Sequence, residues 1–158
     1  MPVLKLPMMS IEEVNGLING QIMCRIAFQD EEYPYIAPFQ YVVIDEVLYF
    51  HFTDYGKKMK LLEKNDRVCV QIEKYEPDLS SYQFVSMRGR LDIVSDEDER
   101  KCAIDGLSKL GKTQLSTNFL AAHGINPDEG WDFLSSDKPF VIVKLVDVVN
   151  LVGLRSPR

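Results

Sequence analysis

The chain has 158 residues, of which 18 are lysine or arginine and 24 are aspartate or glutamate, so its formal net charge is −6. Apolar residues make up 46% and charged residues 27%, which is ordinary globular composition and rules out a disordered chain, a collagen-like fibre and a coiled-coil rod. We expect one domain over residues 1–158 with a core that needs no disulfide or metal, and the acidic balance argues against a nucleic-acid partner.

Hydropathy and cysteine usage predict a cytoplasmic protein with no membrane partner. The most apolar stretch, Phe140 to Leu154, is interrupted by Lys144 and Asp147, so it cannot form a membrane-spanning helix. The first ten residues lack the apolar region of a signal peptide. No CxxC pair occurs, so reduced, buried thiols are predicted rather than disulfides or a zinc site. The cysteines are Cys24, Cys69 and Cys102.

The first third of the chain predicts a short helix and then an antiparallel meander. Ser10 and Glu13 have the spacing of a capping box, which predicts a helix from Ile11 to about Ile18. Three strands follow, each rich in β-branched or aromatic residues and separated from the next by a polar connection. They cover Gln21–Phe28, Tyr35–Ile44 and Val47–Phe52.

The remaining two thirds predict two helices and three more strands. A helix spans Gly56–Asn65, and a second begins at Ser95 and continues to about Ala122 with an interruption near Gly111. The last strand is almost continuously apolar, which predicts burial on both faces. The three strands cover Arg67–Lys74, Tyr82–Val94 and Pro139–Leu151. Six strands in mostly hairpin order, with helices inserted between them, predict a mainly β fold: a closed or partly closed antiparallel β-barrel.

Five cations fall within eleven residues of this acidic chain, namely Lys57, Lys58, Lys60, Lys64 and Arg67. Only Glu63 and Asp66 oppose them locally. Lys57 and Lys58 lie in the first turn of the predicted helix, where the helix dipole disfavours positive charge. A bound phosphate would offset this cost, and Gly56 would allow close approach of the backbone. The alternative is that both lysines are solvated surface residues.

Polar side chains elsewhere could serve the same anion site. His51 and Thr53 lie just upstream, at the end of a strand, and both can hydrogen-bond a polyol. Arg88 and Arg90 share one face of a later strand. They could bind an anion, or each could pair with an acidic neighbour.

The two histidines, His51 and His123, do not form a recognised metal-binding motif. No HxH, HExxH or histidine–cysteine cluster occurs, so we expect no metal site built from protein ligands alone. A Cys–His or Ser–His nucleophile pair stays open, although no GxSxG motif is present. Trp131 is either a plug in the core or an interface, or a lid over an aromatic ligand.

The combination of these motifs resembles the FMN-binding split-barrel family related to pyridoxamine 5′-phosphate oxidase, and within it the subgroup of 5-nitroimidazole reductases. The similarity is densest over Tyr33–Ile72. Its motifs are Pro34-Tyr35 with Pro38 and Tyr41, Tyr49-Phe50-His51, Gly56-Lys57-Lys58 and Asn65-Asp66-Arg67-Val68-Cys69. The segments Ser86–Val94 and Gly153–Pro157 also resemble a family strand and the family's closing residues.

The resemblance implies a six-stranded antiparallel split β-barrel that forms a homodimer with FMN at the subunit interface. It implies that Lys57 and Lys58 hold the FMN phosphate, and that His51 and Thr53 lie near the ribityl chain and phosphate. The strand that carries Pro38, Gln40, Tyr41 and Val42 would run past the isoalloxazine ring. Arg88 would contact the phosphate or the partner subunit.

Three departures from the family narrow the expected function. Asp66 replaces the usual proline, and the residues from Phe52 to Tyr55 are bulkier than those that often follow the YFH motif. The Arg-x-His pair that grips substrate phosphate in authentic pyridoxamine phosphate oxidases is absent, which argues against vitamin B6 oxidation and leaves the small-molecule substrate open.

We therefore expect an FMN-dependent oxidoreductase that passes electrons from a reduced nicotinamide or another donor to a small acceptor such as a nitro compound or a quinone. The flavin would do the redox chemistry, and no acid–base catalyst can be named. The alternatives are a non-catalytic flavin carrier or sensor, a protein that binds the deazaflavin F420, and a haem protein with His51 or His123 as the iron ligand.

Overall fold

Seven antiparallel strands form one curled sheet in the computed structural model, which describes residues 1–158. The strands are β1 (Met23–Phe28), β2 (Tyr35–Gln40), β3 (Val42–Ile44), β4 (Val47–Phe52), β5 (Arg67–Tyr75), β6 (Tyr82–Ile93) and β7 (Val141–Arg155). Their order across the sheet is β2-β1-β5-β6-β7-β4-β3. The mainly β split barrel predicted from the sequence is confirmed.

Three α-helices and three short 3₁₀ turns are inserted between the strands. The helices are α1 (Ile11–Gly20), α2 (Lys57–Lys64) and α3 (Glu97–Gln114), and the 3₁₀ turns cover Thr117–His123, Pro127–Glu129 and Trp131–Phe133. The predicted capping box is present at the start of α1, where Ser10 accepts from the Glu13 amide and Glu13 reaches back to Ser10. None of the helices combines the length and the hydropathy that a membrane span requires.

Tyr41 closes the barrel. The predicted strand Tyr35–Ile44 is two strands, because the chain turns at Tyr41 from β2, at one edge of the sheet, to β3, at the other edge. Because a single residue separates these two strands, the two edges of the sheet must come together at Tyr41, and the sheet curls. Contacts across this seam include the rings of Phe39 and Phe52, which stack with centroids 4.9 Å apart. The Tyr41 hydroxyl donates to the Ile18 carbonyl at 2.6 Å and ties the seam to α1.

Two hydrophobic cores lie on opposite faces of β4 and β7. The barrel interior contains Phe39, Phe50 and Phe52 and is closed at one end by α2. The second core lies between the outer face of β4 and the segment from α3 to the last 3₁₀ turn, and it contains Tyr49, Leu107, Leu120 and Trp131. Alternation along β4 sends Phe50 and Phe52 inward and Tyr49 and His51 outward into the second core.

The last strand differs from its prediction. Burial on both faces holds only for its first half, because the residues from Asp147 to Val152 are exposed. The register between β6 and β7 shifts between Arg88 and Arg90, so β7 has extra residues at this point and forms a bulge. One of the extra residues is Asp147, which has a positive φ of 50°. The bend carries the second half of β7 beyond the cores. Ile93, the last residue of β6, is also 55% exposed.

Helix α3 is not interrupted at Gly111, contrary to the prediction. It begins after Asp96, whose side chain caps it, and runs to Gln114. Gly111 allows the indole ring of Trp131 to lie directly on the helix, where a Cβ atom would overlap the ring. Trp131 is buried, so it is the core plug of the two alternatives.

The cysteines are free thiols at three different depths. Cys24 is buried, and its burial raises the pKa of its thiol. Cys69 is partly buried and Cys102 is exposed. The prediction of buried thiols is therefore wrong for Cys102, which lies on the solvent side of α3.

Candidate functional site

The start of α2 is unusually open to an anion. Gly56 precedes the helix with φ 94° and ψ −177°, a conformation that only glycine adopts readily. No side chain caps the helix, and its first turn contains no acidic residue. The uncapped backbone N–H groups and the side chains of Lys57 and Lys58 therefore place positive charge at one end of the barrel.

Lys57 is partly neutralised by a neighbouring turn. Its Nζ atom lies 3.3 Å from Asp30 Oδ2 and 4.9 Å from the centroid of the Tyr35 ring. The Glu31 amide and Lys57 together lower the pKa of the Asp30 carboxyl. Glu31 lies 3.7 Å from Lys64. In addition to Glu63 and Asp66, the local carboxylates of the sequence, the turn between β1 and β2 supplies two carboxylates to this cluster.

Lys58 has no carboxylate within ion-pairing distance. Its side chain is partly buried, and its Nζ atom lies 4.7 Å from the centroid of the Phe39 ring. Burial lowers the pKa of its ammonium group. A partly desolvated cation beside uncapped helix amides is the arrangement in which a bound phosphate gains most.

His51 belongs to a buried chain of hydrogen bonds. Gln40 Nε2 donates to the Leu107 carbonyl at 2.9 Å, and Gln40 Oε1 lies 2.7 Å from His123 Nε2. The other ring nitrogen of His123, Nδ1, lies 2.9 Å from His51 Nδ1. The two imidazole rings meet edge to edge through this contact, with centroids 5.1 Å apart and planes inclined by 29°. Four residues from β2, β4, α3 and the first 3₁₀ turn are thereby linked across the second core.

Burial keeps both imidazoles neutral. Removal from water lowers the pKa of His51 to about 3, with further contributions from His123 and from the charge of Lys58. The same desolvation, together with Lys58, lowers the pKa of His123 to about 4. Neither histidine is positively charged near neutral pH.

A small cavity of about 250 Å³ opens beside His51. Its walls include Thr53, Tyr55, Phe133 and Phe140. Thr53 Oγ1 donates to the Tyr55 carbonyl at 2.7 Å, which fixes the loop between β4 and α2. His51 and Thr53, predicted near one ligand, therefore face the same cavity.

The other predicted site residues are spread over the molecule. Pro38 is exposed on β2, whereas Gln40 and Tyr41 are buried and already hydrogen-bonded within the chain. Val42 is partly buried against Gly106 of α3. Arg88 is exposed in a different place, a groove of about 680 Å³ that it shares with Arg67.

Arg90 pairs with acidic neighbours, the second of the two alternatives for these arginines. It pairs with Asp66 at 2.7 Å and with Asp147 at 2.6 Å. These carboxylates raise the pKa of its guanidinium. No carboxylate lies within ion-pairing distance of Arg88, so of the two arginines only Arg88 is free for an anion.

His123 is the site residue that the sequence did not single out for this role. The sequence offers it as an iron ligand or as part of a nucleophile pair, and it lies 72 positions from His51. The available signal was that it is the second of only two histidines. Both of its ring nitrogens have partners in the fold, so it has no lone pair left for a metal.

The fold and the basic helix start define the class of the protein, a split β-barrel with a candidate phosphate site at the end of the barrel. A family model described as pyridoxamine 5′-phosphate oxidase matches residues 10–123. The chain therefore belongs to the pyridoxamine 5′-phosphate oxidase family. A comparison with curated proteins finds no match.

Solved structures share the fold along almost the whole chain. A FAD-binding protein from Mesorhizobium loti is 20% identical with a TM-score of 0.69, and the match covers 98% of each chain. A candidate 5-nitroimidazole antibiotic resistance protein from Bacteroides thetaiotaomicron is 21% identical with a TM-score of 0.63, over 98% of this chain and 92% of that one. A FAD and heme binding protein from Mycobacterium smegmatis is 10% identical with a TM-score of 0.64, over 94% and 72%.

Proposed function

We propose that the protein binds FMN and holds its phosphate at the start of α2. The observation that carries this proposal is Lys58, a partly buried cation with no carboxylate partner, placed beside helix amides that no side chain caps. An anion there would replace lost hydration of the ammonium group and accept from the free N–H groups. The family and its flavin-binding structural neighbours support a flavin as the molecule that brings the phosphate.

The residues around the helix start would hold the cofactor from its phosphate end. Lys57 and Lys58 would contact the phosphate, and Thr53 would face the ribityl chain. The strand from Pro38 to Val42 would offer backbone groups to the ring. Gln40 and Tyr41 side chains already have partners, so they would support the ring through the backbone rather than by direct contact.

A second copy of the chain would complete the site. Arg88 lies in a groove next to Val149, on the outer face of the sheet and away from the His51 cavity. Arg88 would therefore serve the flavin phosphate of a partner subunit or the subunit contact itself. In this arrangement FMN would lie at the interface of a homodimer.

The proposed activity is electron transfer from a reduced nicotinamide or another donor to a small acceptor such as a nitro compound or a quinone, in the cytoplasm. The bound flavin would supply the redox chemistry. The chain would anchor the phosphate, orient the ring and exclude water. No side chain is assigned as an acid–base catalyst.

The double variant Lys57→Ala/Lys58→Ala tests the phosphate site. Loss of two charge-assisted contacts should weaken FMN binding by at least about tenfold, measured by fluorescence titration of the purified protein. Lys60→Ala is the matched control, because Lys60 is an exposed lysine of the same helix. It removes one like charge but no proposed contact, so it should leave affinity nearly unchanged.

Two results would contradict the proposal. One is unchanged FMN affinity in the double variant with an unchanged circular dichroism spectrum. The other is a purified wild-type protein that retains no flavin absorption after incubation with FMN and desalting. If the protein retained F420 but not FMN, the cofactor of this site would be the deazaflavin. A haem absorption band would instead make His51 the residue to test, since His123 has no free ring nitrogen.

A further inference from the structure

The hydrogen-bond chain through Gln40 has only one consistent placement of protons. The Leu107 carbonyl can only accept, so the Gln40 amide nitrogen must face it and the Gln40 oxygen must face His123. That oxygen can only accept, so His123 carries its proton on Nε2. A neutral His123 then presents an unprotonated Nδ1 toward His51.

The same logic fixes the tautomer of His51. The two Nδ1 atoms are 2.9 Å apart, so one proton lies between them, and His51 must supply it because His123 Nδ1 has none. Two imidazolium rings would place two N–H groups against each other, which this contact excludes. His51 is neutral and 6% exposed, so its Nε2 atom bears a lone pair.

His51 Nε2 is the open end of the chain. It has no hydrogen-bond partner within the protein, although the other three ring nitrogens of the two histidines are all paired. It is also not sealed from solvent, unlike the unpartnered Trp131 Nε1. Since His51 lines the cavity of about 250 Å³, the lone pair is offered to whatever occupies that cavity.

The cavity walls define the size and chemistry of an occupant. The volume corresponds to about eight water molecules, enough for a six-membered ring with one substituent. Phe140 meets the His51 ring edge-on at 5.0 Å, and Phe133 packs against Phe140 at 6.4 Å. Aromatic walls favour a planar apolar ring, and the lone pair of His51 Nε2 favours a hydrogen-bond donor. The wall also contains Lys138, whose Nζ atom lies 4.3 Å from the centroid of the Phe133 ring.

We propose that this cavity is a binding site for a small aromatic ring that carries a hydroxyl or ring N–H donor, and that His51 Nε2 accepts from that donor. Gln40 and His123 are positioning residues, because they hold His51 in the tautomer with its proton on Nδ1. The chain of hydrogen bonds consists of this protein's own residues. These hydrogen bonds therefore do not depend on a bound flavin, although the cavity shares Thr53 with the proposed ribityl contact.

The first test is the tautomer, read by long-range proton–nitrogen correlation NMR of the full ¹⁵N-labelled chain as purified at neutral pH. With two histidines, four ring-nitrogen signals are expected, and His51→Phe assigns them. His51 should show a protonated Nδ1 and an unprotonated Nε2, and His123 the reverse. A protonated His51 Nε2, or a mixture of tautomers, would overturn the proposal.

Variants of the positioning residues separate an orienting role from a structural one. Gln40→Glu, with its buried carboxyl protonated, donates to the Leu107 carbonyl and still accepts from His123 Nε2, so it should preserve the His51 tautomer. Gln40→Leu removes that acceptor and should give His51 a mixture of tautomers. Equal tautomer spectra in the two variants would overturn the role assigned to Gln40. If either variant fails to fold, the wild-type spectrum alone decides the tautomer.

The second test is the ligand class, with phenol and anisole as matched probes. They share the ring, but only phenol has a donor. Phenol should shift the His51 Nε2 signal and bind about tenfold more tightly than anisole. Equal affinity for the two probes would overturn the acceptor role of His51. Binding of neither probe would overturn the cavity as a ligand site.

Discussion

His51 and His123 are the residues whose ionisation the fold changes most. Both have an ordinary pKa of 6.5 in the unfolded chain, and burial lowers these values to about 3 and about 4 in the folded chain. The charge of Lys58 acts on both rings and lowers their pKa values further. The folded protein therefore resists protonation at two positions where the unfolded chain accepts it.

The free energy of unfolding should fall as the pH is lowered below 6.5. Above that pH both histidines are neutral in both states. Below it the unfolded chain binds protons that the folded chain refuses, which costs up to about 1.4 kcal/mol per pH unit for each histidine. The loss ends only near pH 4 for His123 and near pH 3 for His51, where the folded rings become protonated.

Urea unfolding between pH 7 and pH 5 measures this slope. The carboxyl groups of Asp30 and Glu99 have lowered pKa values, so their protonation falls below this window. His51→Phe and His123→Phe should each flatten the slope, whatever their effect on absolute stability. A slope that is the same in the wild type and both variants would contradict the burial of neutral histidines.

A residue's role could be predicted from the sequence only where its partners lie within a few positions along the chain. The basic start of α2 and the capping box of Ser10 and Glu13 were readable because their geometry is set within a few residues. Lys57 pairs with Asp30 and His51 pairs with His123, across 27 and 72 positions. Such pairs exist only after the barrel closes, so no local pattern contains them.

Helix α3 shows how one glycine can decide the packing of an element. A glycine inside a helix normally costs about 1 kcal/mol relative to alanine, which is why an interruption was predicted there. At Gly111 the missing Cβ atom admits the indole ring of Trp131 onto the helix surface. A Cβ atom added at Gly16 of α1 would meet no atom within 4 Å, so Gly16 has open space where Gly111 has the Trp131 ring.

Gly111→Ala should destabilise the protein by about 1–3 kcal/mol, because the gain in helix propensity is smaller than the cost of displacing the Trp131 ring. Gly16→Ala is the control and should stabilise it by about 0.5–1 kcal/mol. Urea unfolding monitored by circular dichroism gives both values. A gain in stability for Gly111→Ala would show that the ring contact contributes little.

The elements themselves were largely predictable, and their exceptions have physical reasons. Alternating apolar residues and polar turns located the strands and α2. The break at Tyr41 was missed because the sequence pattern is continuous there, although the chain changes sheet edge. The exposure of the second half of β7 was missed because its apolar run looks the same whether protein or a partner covers it.

The second half of β7 carries a run of exposed apolar residues, the apolar stripe. Val149 is 83% exposed and Val148 is 45% exposed. The stripe also includes Leu151 and Val152. Contiguous exposed apolar residues of this kind mark association surfaces in soluble proteins. Val149 also lines the groove of Arg88, so the stripe is continuous with the surface that we assign to a second copy of the chain.

Val149→Glu should convert the proposed dimer into a monomer. A carboxylate buried at the centre of the stripe would lose its hydration without a partner, and FMN affinity should fall with dimerisation. Light scattering of the wild type should give twice the chain mass. Leu79→Glu is the control, since Leu79 is an exposed apolar residue in the turn between β5 and β6. A wild-type monomer that retains FMN would contradict the shared site.

The position of β7 in the sheet also bears on the order in which the chain can fold during synthesis. β7 is the last strand in sequence, yet it lies between β6 and β4. The β3–β4 hairpin, complete at residue 52, pairs on its other side only with residues 141–144. As the ribosome releases the chain, the aromatic residues of β4 must wait for nearly ninety further residues before their final strand neighbour emerges. Until then the hairpin lacks this neighbour, and its unpaired strand edge is open to premature association.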